Sequence, residues 1–333
     1  MGTAAAIAIL TLHLLAMNVA SAGPLAAAWM LGATWGDAAA LAHARRMIGW
    51  SLGGLALGAV LGGALWLPTN EGLRAALARF PASTYWFAGA ELLFSLLCLA
   101  AMHRFAPRLQ HRPWLAWFVA IVPASNLLYH FPPLMAVIGR LAADPRWTTA
   151  ELIDRRTLLG LWARPEVLAL WAHYTLASLA VACVAGMWPG EAARAPEESP
   201  RPAGTEGRLT RGLAHGALGA TALQLPVGGW LLAATPPQAR DMLLGGSILA
   251  SATFLAGIGL SLALLHTLAA AAMGDGALAV RRRAVLLMVA VAATMTGTLL
   301  LSREEQAPPV EQPLPQGEAR QPLAGSPRGA IPG

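Results

Sequence analysis

The sequence contains no lysine, only two cysteines and few charged side chains. Charged residues make up 12% of the chain, about half of their share in an average soluble domain. The cysteines, Cys98 and Cys183, each stand alone inside an apolar run, and the chain has no CxxC or CxxCH motif. These features argue against a soluble globular protein, a thiolate metal site and a covalently attached c-type haem.

Long apolar runs occupy most of the 333 residues, and apolar side chains make up 56% of them. The runs have the ~20-residue length that crosses a hydrocarbon core of about 30 Å. Because lipid offers the backbone no hydrogen-bonding partners, such runs predict helices rather than the shorter, alternating strands of a barrel. The sequence therefore predicts an all-α, polytopic transmembrane bundle of about eight helices. They lie at about 4–32, 46–66, 85–104, 113–140, 164–187, 211–235, 243–272 and 280–301.

The apolar runs fall into two groups on either side of a polar segment. Residues 1–187 form a five-helix region and residues 211–302 a three-helix region. Residues 188–210 are rich in Pro, Ala, Glu and Arg and are predicted to form a loop. Residues 303–333 are rich in Pro, Gly and Gln and are predicted to form a disordered tail.

The first helix carries Ala20-Ser21-Ala22, which is also the A-x-A pattern of a signal-peptide cleavage site. Cleavage is the alternative interpretation. However, no basic residue precedes this apolar run, and the run continues past Pro24. We therefore expect a retained helix with a bend at Gly23-Pro24, and we expect Pro132-Pro133 to break or bend the fourth helix.

The net charge of +6 comes from 23 arginines, most of which stand in short connections between apolar runs. This pattern is typical of membrane topology rather than of a nucleic-acid surface. With the amino terminus outside, 12 arginines fall on inner connections and eight on outer ones, excluding the tail. The sequence thus predicts a multi-pass protein of the cell inner (plasma) membrane, with the lipid bilayer as its partner and no nucleic acid.

Polar side chains inside the predicted helices are costly and need an explanation. His13, Glu91 and His173 lie about six to ten residues into odd-numbered helices, or ~9–15 Å deep. Asn126 and His130 lie past the middle of the fourth helix, which runs in the opposite direction. All five fall in one half of the membrane, whereas His215 and His266 fall in the other.

Two imidazoles and a carboxylate at one depth, on three helices, suit an iron porphyrin. Haem iron takes histidine as an axial ligand, a carboxylate can serve as a weaker one, and helix bundles build such sites between facing helices. The alternatives are packing histidines, a glutamate that reaches the headgroups, and a mononuclear zinc site. The sequence contains no H-x-x-x-H spacing, which argues against the zinc site.

The first five helices resemble the amino-terminal half of subunit I of cytochrome bd-type quinol oxidases, over roughly residues 5–187. Five short segments carry the resemblance, in the same order and with similar spacing. They are Thr11-Leu12-His13-Leu14-Leu15, Leu67-Pro68-Thr69-Asn70, Glu91, Ala124-Ser125-Asn126-Leu127, and Pro165 followed by His173 and Ala177-Ser178.

The resemblance implies roles for these residues. His13 and Glu91 would serve a high-spin haem group, with Glu91 as the catalytic residue, and His173 would ligate a low-spin haem b. His13 and His173 are thus the predicted metal ligands. Asn126 would lie near the haems, and His130, at the same depth, is a further cofactor-binding candidate. The implied cofactor is haem b, with a further haem b or haem d as alternatives.

The chain also departs from the family. A second glutamate expected in the third helix is Leu99 here, and the long quinol-binding loop is replaced by residues 236–242. No methionine stands at Thr253-Phe254-Leu255, where the family has the second ligand of the low-spin haem; Met242 is the nearest candidate. These departures imply a divergent relative with fewer haems and a different electron donor.

The leading hypothesis is a haem-binding membrane electron-transfer protein, an oxidoreductase of the terminal-oxidase type that reduces dioxygen or another small oxidant in a respiratory chain. One alternative is a non-catalytic, haem-anchoring subunit of a larger complex with other membrane or redox subunits. Another is a transporter or channel without haem, whose polar residues line a pathway. We expect His13, Glu91, Asn126 and His173 to converge on one site.

Overall fold

The computed structural model describes residues 2–33, 36–66, 71–188 and 204–304, and within these ranges the regular structure is helical, without strands. Eight helical segments are long and apolar enough to cross a membrane, which confirms the predicted all-α, polytopic bundle. The helices are α1 (Thr3–Ala33), α2 (Ala38–Trp66), α3 (Glu71–Ala78), α4 (Ala82–Leu109), α5 (Pro113–Tyr129), α6 (Phe131–Ala143), α7 (Arg155–Trp162), α8 (Pro165–Gly186), α9 (Thr205–Ala234), α10 (Pro237–Asp241), a π-helix (Met242–Gly246), α11 (Ile248–Ala272) and α12 (Leu278–Glu304).

Two helices begin earlier than their apolar runs predicted. α2 begins at Ala38 rather than near residue 46, and α9 begins at Thr205, inside the predicted loop 188–210. The first turn of α9 is polar, and the first nine residues of α2 include His43, Arg45 and Arg46. Hydropathy marks only the lipid-buried part of a helix, whereas backbone hydrogen bonds continue into the headgroup region. Residues 67–70, 189–203 and 305–333, which include most of the predicted loop and tail, lie outside the described residues.

Helix α1 occupies the centre of the bundle and packs against α2, α5, α8 and α12. Its closest partner is α2, which presents glycines at every fourth position, Gly54, Gly58 and Gly62. A Cβ on Gly54 would lie 2.7 Å from the carbonyl oxygen of Ala16, and one on Gly58 would lie 2.5 Å from the sulfur of Met17. The absence of side chains along this stripe therefore allows the two backbones to approach closely.

The fourth span is divided at His130 into α5 and α6, which confirms the predicted break at Pro132-Pro133. Proline has no N–H, so residue 132 cannot donate to the carbonyl of Leu128 one turn earlier. The indole Nε1 of Trp171 donates to that carbonyl instead, at 2.6 Å. In contrast, α1 continues through Pro24 without interruption.

One end of the bundle carries a small cap made of α3, residues 144–154 and α7. Its apolar core includes Phe80, Val137, Leu141 and Ile153. The guanidinium of Arg79 donates to three carbonyls of the 144–154 segment, those of Pro145, Thr148 and Ala150. The cap lies at the end of the bundle where α1 begins, since α4 starts and α6 finishes there.

The opposite end, here called the arginine-rich end, joins α1 to α2, α8 to α9 and α11 to α12. Its connections are linked by side chains: Thr205 donates to the carboxylate of Asp37, and Gln110 Nε2 donates to the Asp37 carbonyl at 2.7 Å. The hydroxyl of Thr205 holds the pKa of Asp37 below its ordinary value. The arginines described at this end are Arg45, Arg46, Arg104, Arg108, Arg112, Arg208, Arg211, Arg281, Arg282 and Arg283.

Candidate functional site

A glutamate and a histidine meet inside the membrane span. Glu91 lies on α4 with 8% of its surface exposed, and its Oε1 contacts Nδ1 of His130. His130 stands at the break between α5 and α6, where the fourth span is interrupted. The sequence placed both residues in the same half of the membrane, and the structure brings them into contact.

Asn126 connects this pair to the helices around it. Its Nδ2 donates to the Glu91 carbonyl at 3.0 Å and to Ser95 Oγ at 2.8 Å. Since a carbonyl can only accept, the amide nitrogen must face α4, and Oδ1 therefore faces His130 Nδ1, at 3.2 Å. His130 Nδ1 must then donate, which fixes its hydrogen on that nitrogen. Glu91, Ser95, Asn126 and His130 are called the Glu91 cluster below.

Aromatic rings surround the imidazole of the Glu91 cluster. Phe87, Tyr129 and Trp162 have ring centroids 5.9, 5.0 and 6.3 Å from that of His130. Beside them lies a cavity of about 210 Å³ lined by Tyr129, Trp162 and Trp171, among others. The Glu91 side chain is 10% exposed and that of His130 is 32% exposed. His130 thus lies between the buried Glu91 carboxylate and the outside of the bundle. The apolar rings around it lower the local polarity, which strengthens the electrostatic contact between His130 and Glu91.

His13 lies at the interface between α1 and α2. Its Nδ1 is 2.8 Å from the carbonyl oxygen of Gly58, so Nδ1 carries the hydrogen and Nε2 keeps its lone pair. The ring lies against Gly62, where an added Cβ would be 2.9 Å from Cε1. A histidine with one nitrogen bonded to a backbone carbonyl and the other free has the arrangement usual in metal-ligating imidazoles.

His173 on α8 differs from the other candidate histidines, because its Nδ1 is buried and has no hydrogen-bond partner in the described structure. Five residues later, Ser178 Oγ donates to Asn18 Oδ1 at 2.8 Å and ties α8 to α1. His13 precedes Asn18 by the same interval. Since α1 and α8 run in the same direction, the two histidines lie at about the same depth.

The two histidines do not face each other directly across the α1–α8 contact. Five residues turn a helix by one full turn and about 140° more, so both rings point away from the Asn18–Ser178 bond. His13 accordingly lies on the α2 side of α1. The structure thus joins Glu91, Asn126 and His130 in one cluster. Convergence of His13 and His173 with that cluster remains a prediction.

Several contacts around these candidate residues were not predicted from the sequence. Ser95 stands four residues after Glu91, on the same helix face, and this spacing could have indicated it. Gly58 and Gly62, which contact the His13 ring, follow the small-xxx-small pattern, and this pattern predicts close helix packing. Leu99, which the sequence analysis compared with a glutamate position, is fully buried. His215 and His266 are both exposed, and His215 bonds to the Arg211 carbonyl.

No protein-family profile, curated protein or solved structure matches this chain. The fold alone therefore defines its class, that of a multi-pass helical membrane protein.

Proposed function

We propose that this chain is a haem-binding electron-transfer protein of the plasma membrane and a divergent relative of cytochrome bd oxidase subunit I. The observation that carries the proposal is the buried ring nitrogen Nδ1 of His173, which has no hydrogen-bond partner among the described residues. Leaving a buried polar atom unsatisfied costs roughly 1–3 kcal/mol. Ligation of a metal would give the His173 imidazole a partner that the described residues do not supply.

The ligand chemistry fits a haem better than a metal held only by protein. The porphyrin supplies four ligands, so the iron needs only one or two side chains, and histidine is the commonest of these. His173 on α8 and His13 on α1 can each offer one nitrogen. In His13 the bond from Nδ1 to Gly58 sets the tautomer and the ring orientation that ligation requires.

A bound haem would carry one electron, and the chain would bind, bury and tune it. His173 would hold a low-spin haem b and His13 the high-spin haem group, each between apolar helices, where low polarity influences the potential. The Glu91 cluster would place a carboxylate and an imidazole near the site and set the local charge. If the acceptor is dioxygen, the protein acts as a terminal oxidase with Glu91 as its catalytic residue.

The contact between Glu91 and His130 favours a second candidate. A carboxylate already engaged by an imidazole is less available to haem iron or to a substrate. The chain would then be a non-catalytic, haem-anchoring subunit that conducts electrons for a larger membrane complex. In this case haem is bound but the purified chain alone does not consume dioxygen.

The test is a reduced-minus-oxidised absorption spectrum of the purified protein and of His173→Ala. We expect the wild type to show a low-spin haem b signal and the variant to lose it, because the ligand is removed. His266→Ala is the matched control, since His266 is exposed and in the other half of the membrane. Identical haem spectra in wild type and His173→Ala would show that His173 is not a ligand. A wild type without haem would favour a transporter or channel.

A further inference from the structure

Arg281, at the start of α12, has an unusual environment for a charged residue. Its side chain is only 4% exposed, and its NH1 donates to Glu206 Oε1 at 2.7 Å. The Nε of the same guanidinium is buried without a hydrogen-bond partner in the described structure. A buried charge of this kind is normally compensated by further acceptors, so the positive charge of Arg281 is only partly compensated by the described residues.

Glu206 is shared between two cations. Arg46 on α2 interacts electrostatically with both Glu206 and Arg281, while its NH2 donates to the Trp188 carbonyl at 2.7 Å. One carboxylate therefore faces two guanidinium groups. Among the described residues, the corner between α2, α9 and α12 thus has one positive charge that no carboxylate balances, which would attract an anion.

Exposed arginines extend this corner towards the lipid. Arg282 and Arg283 are exposed and form no ion pair with a described carboxylate. Leu286, which is 70% exposed, follows Arg282 by four residues and Arg283 by three. Val289 is also exposed and follows Arg282 by seven residues, so these side chains lie along one side of α12. Arginine at headgroup depth with an exposed apolar stripe beneath it matches a molecule with an anionic head and an acyl chain.

We propose that this corner binds an anionic phospholipid, whose phosphate is held by the exposed Arg282 and Arg283 beside the buried positive charge of Arg281, and whose acyl chain lies along Leu286 and Val289. Guanidinium groups pair well with phosphate oxygens, and basic pockets between membrane helices bind such headgroups. A free phosphate would use the arginines but not the apolar stripe, so the arrangement favours lipid. The inference does not depend on haem binding.

The test measures binding of phosphatidylglycerol, phosphatidylcholine and inorganic phosphate to the purified full chain by native mass spectrometry. We expect the wild type to bind phosphatidylglycerol in preference to phosphatidylcholine. Arg282→Gln/Arg283→Gln should bind phosphatidylglycerol on the order of 30-fold more weakly. Each arginine near the membrane surface contributes a factor of roughly five to the affinity for an anionic headgroup, and the two factors multiply. Both side chains are exposed, so this variant should unfold at the same temperature as the wild type in phosphatidylcholine.

The control is Arg155→Gln/Arg156→Gln, which removes two exposed arginines from α7 at the other end of the bundle. It should keep the wild-type preference for phosphatidylglycerol. Equal binding of the two lipids by the wild type, or unchanged binding by the Arg282/Arg283 variant, would overturn the proposal. Displacement of the lipid by millimolar inorganic phosphate would show a phosphate site rather than a lipid site.

Discussion

At the scale of single residues, hydrogen bonds decide which candidate side chains are free to bind a ligand. His130 is committed to the Glu91 cluster, and His13 has one nitrogen committed to Gly58. His173 Nδ1 has no such partner in the part of the chain that the structure describes. The sequence could predict the residue types and their depth but not these partners, because a partner depends on how each helix is rotated about its axis.

Gly62 tests the placement of His13. A methyl group there would lie 2.9 Å from Cε1 of the imidazole, closer than atoms approach without displacement, so Gly62→Ala should push the ring away and weaken its bond to Gly58. We expect a loss of about 1 kcal/mol in unfolding free energy and a changed high-spin haem absorption. The measurements are thermal unfolding and the absorption spectrum.

Gly63→Ala is a matched control for this prediction. It adds the same methyl group to the next residue of α2, where a Cβ meets no atom within 4 Å. It should leave the spectrum unchanged and, because alanine is the better helix former, should not lower stability. Equal effects of the two substitutions would contradict the assigned position of His13.

At the scale of helices, hydropathy located the eight spans but not their ends or their contacts. Pro132-Pro133 predicted the break in the fourth span, because proline removes backbone donors whatever the surroundings. The donor that replaces them, Trp171 Nε1 on α8, was not predictable. It comes from a residue 43 positions away from Leu128 in sequence, and only the packing of α8 against this span brings it there.

Trp171 therefore has a specific structural role that can be tested. Trp171→Phe keeps a large aromatic ring but removes the N–H that donates to the Leu128 carbonyl at 2.6 Å. We expect unfolding free energy to fall by about 1–3 kcal/mol, because the buried carbonyl loses its partner. The measurement is thermal or denaturant unfolding in a fixed detergent.

Trp230→Phe on α9 is the comparison for this prediction. Trp230 is exposed, so its substitution should change stability by less than about 0.5 kcal/mol. Should Trp171→Phe be as stable as the wild type, the carbonyl of Leu128 does not depend on the indole. In that case another group or a water molecule must satisfy it.

At the scale of the whole molecule, the two ends of the bundle are built differently. The cap end has an apolar core of its own, whereas the arginine-rich end is held by polar links between connections, such as those from Thr205 and Gln110 to Asp37. From the alternation of helices, the sequence predicted an excess of arginines at this end, 12 against eight. It could not predict these links, because they join residues distant along the chain.

Dependence on polar links makes the arginine-rich end sensitive to acid. The pKa of Asp37 is lowered in the folded protein, chiefly by the hydrogen bond from Thr205. A lowered pKa means that the charged form stabilises the fold at pH values above the ordinary aspartate value of about 3.9, and that this contribution is lost as pH falls through the folded pKa.

We therefore expect Asp37→Asn to unfold at a lower temperature than the wild type at pH 7. The difference should shrink as pH falls below the ordinary aspartate pKa of about 3.9 and disappear only below the lowered folded pKa, where the wild-type carboxyl is also uncharged. Because Asp37 is only partly buried, solvent screens its charge and the effect should be small. Thr205→Val, which removes the donating hydroxyl at similar volume, should show the same pH dependence. A difference between wild type and Asp37→Asn that is constant from pH 7 to pH 3 would mean that the Asp37 charge does not stabilise this end of the bundle.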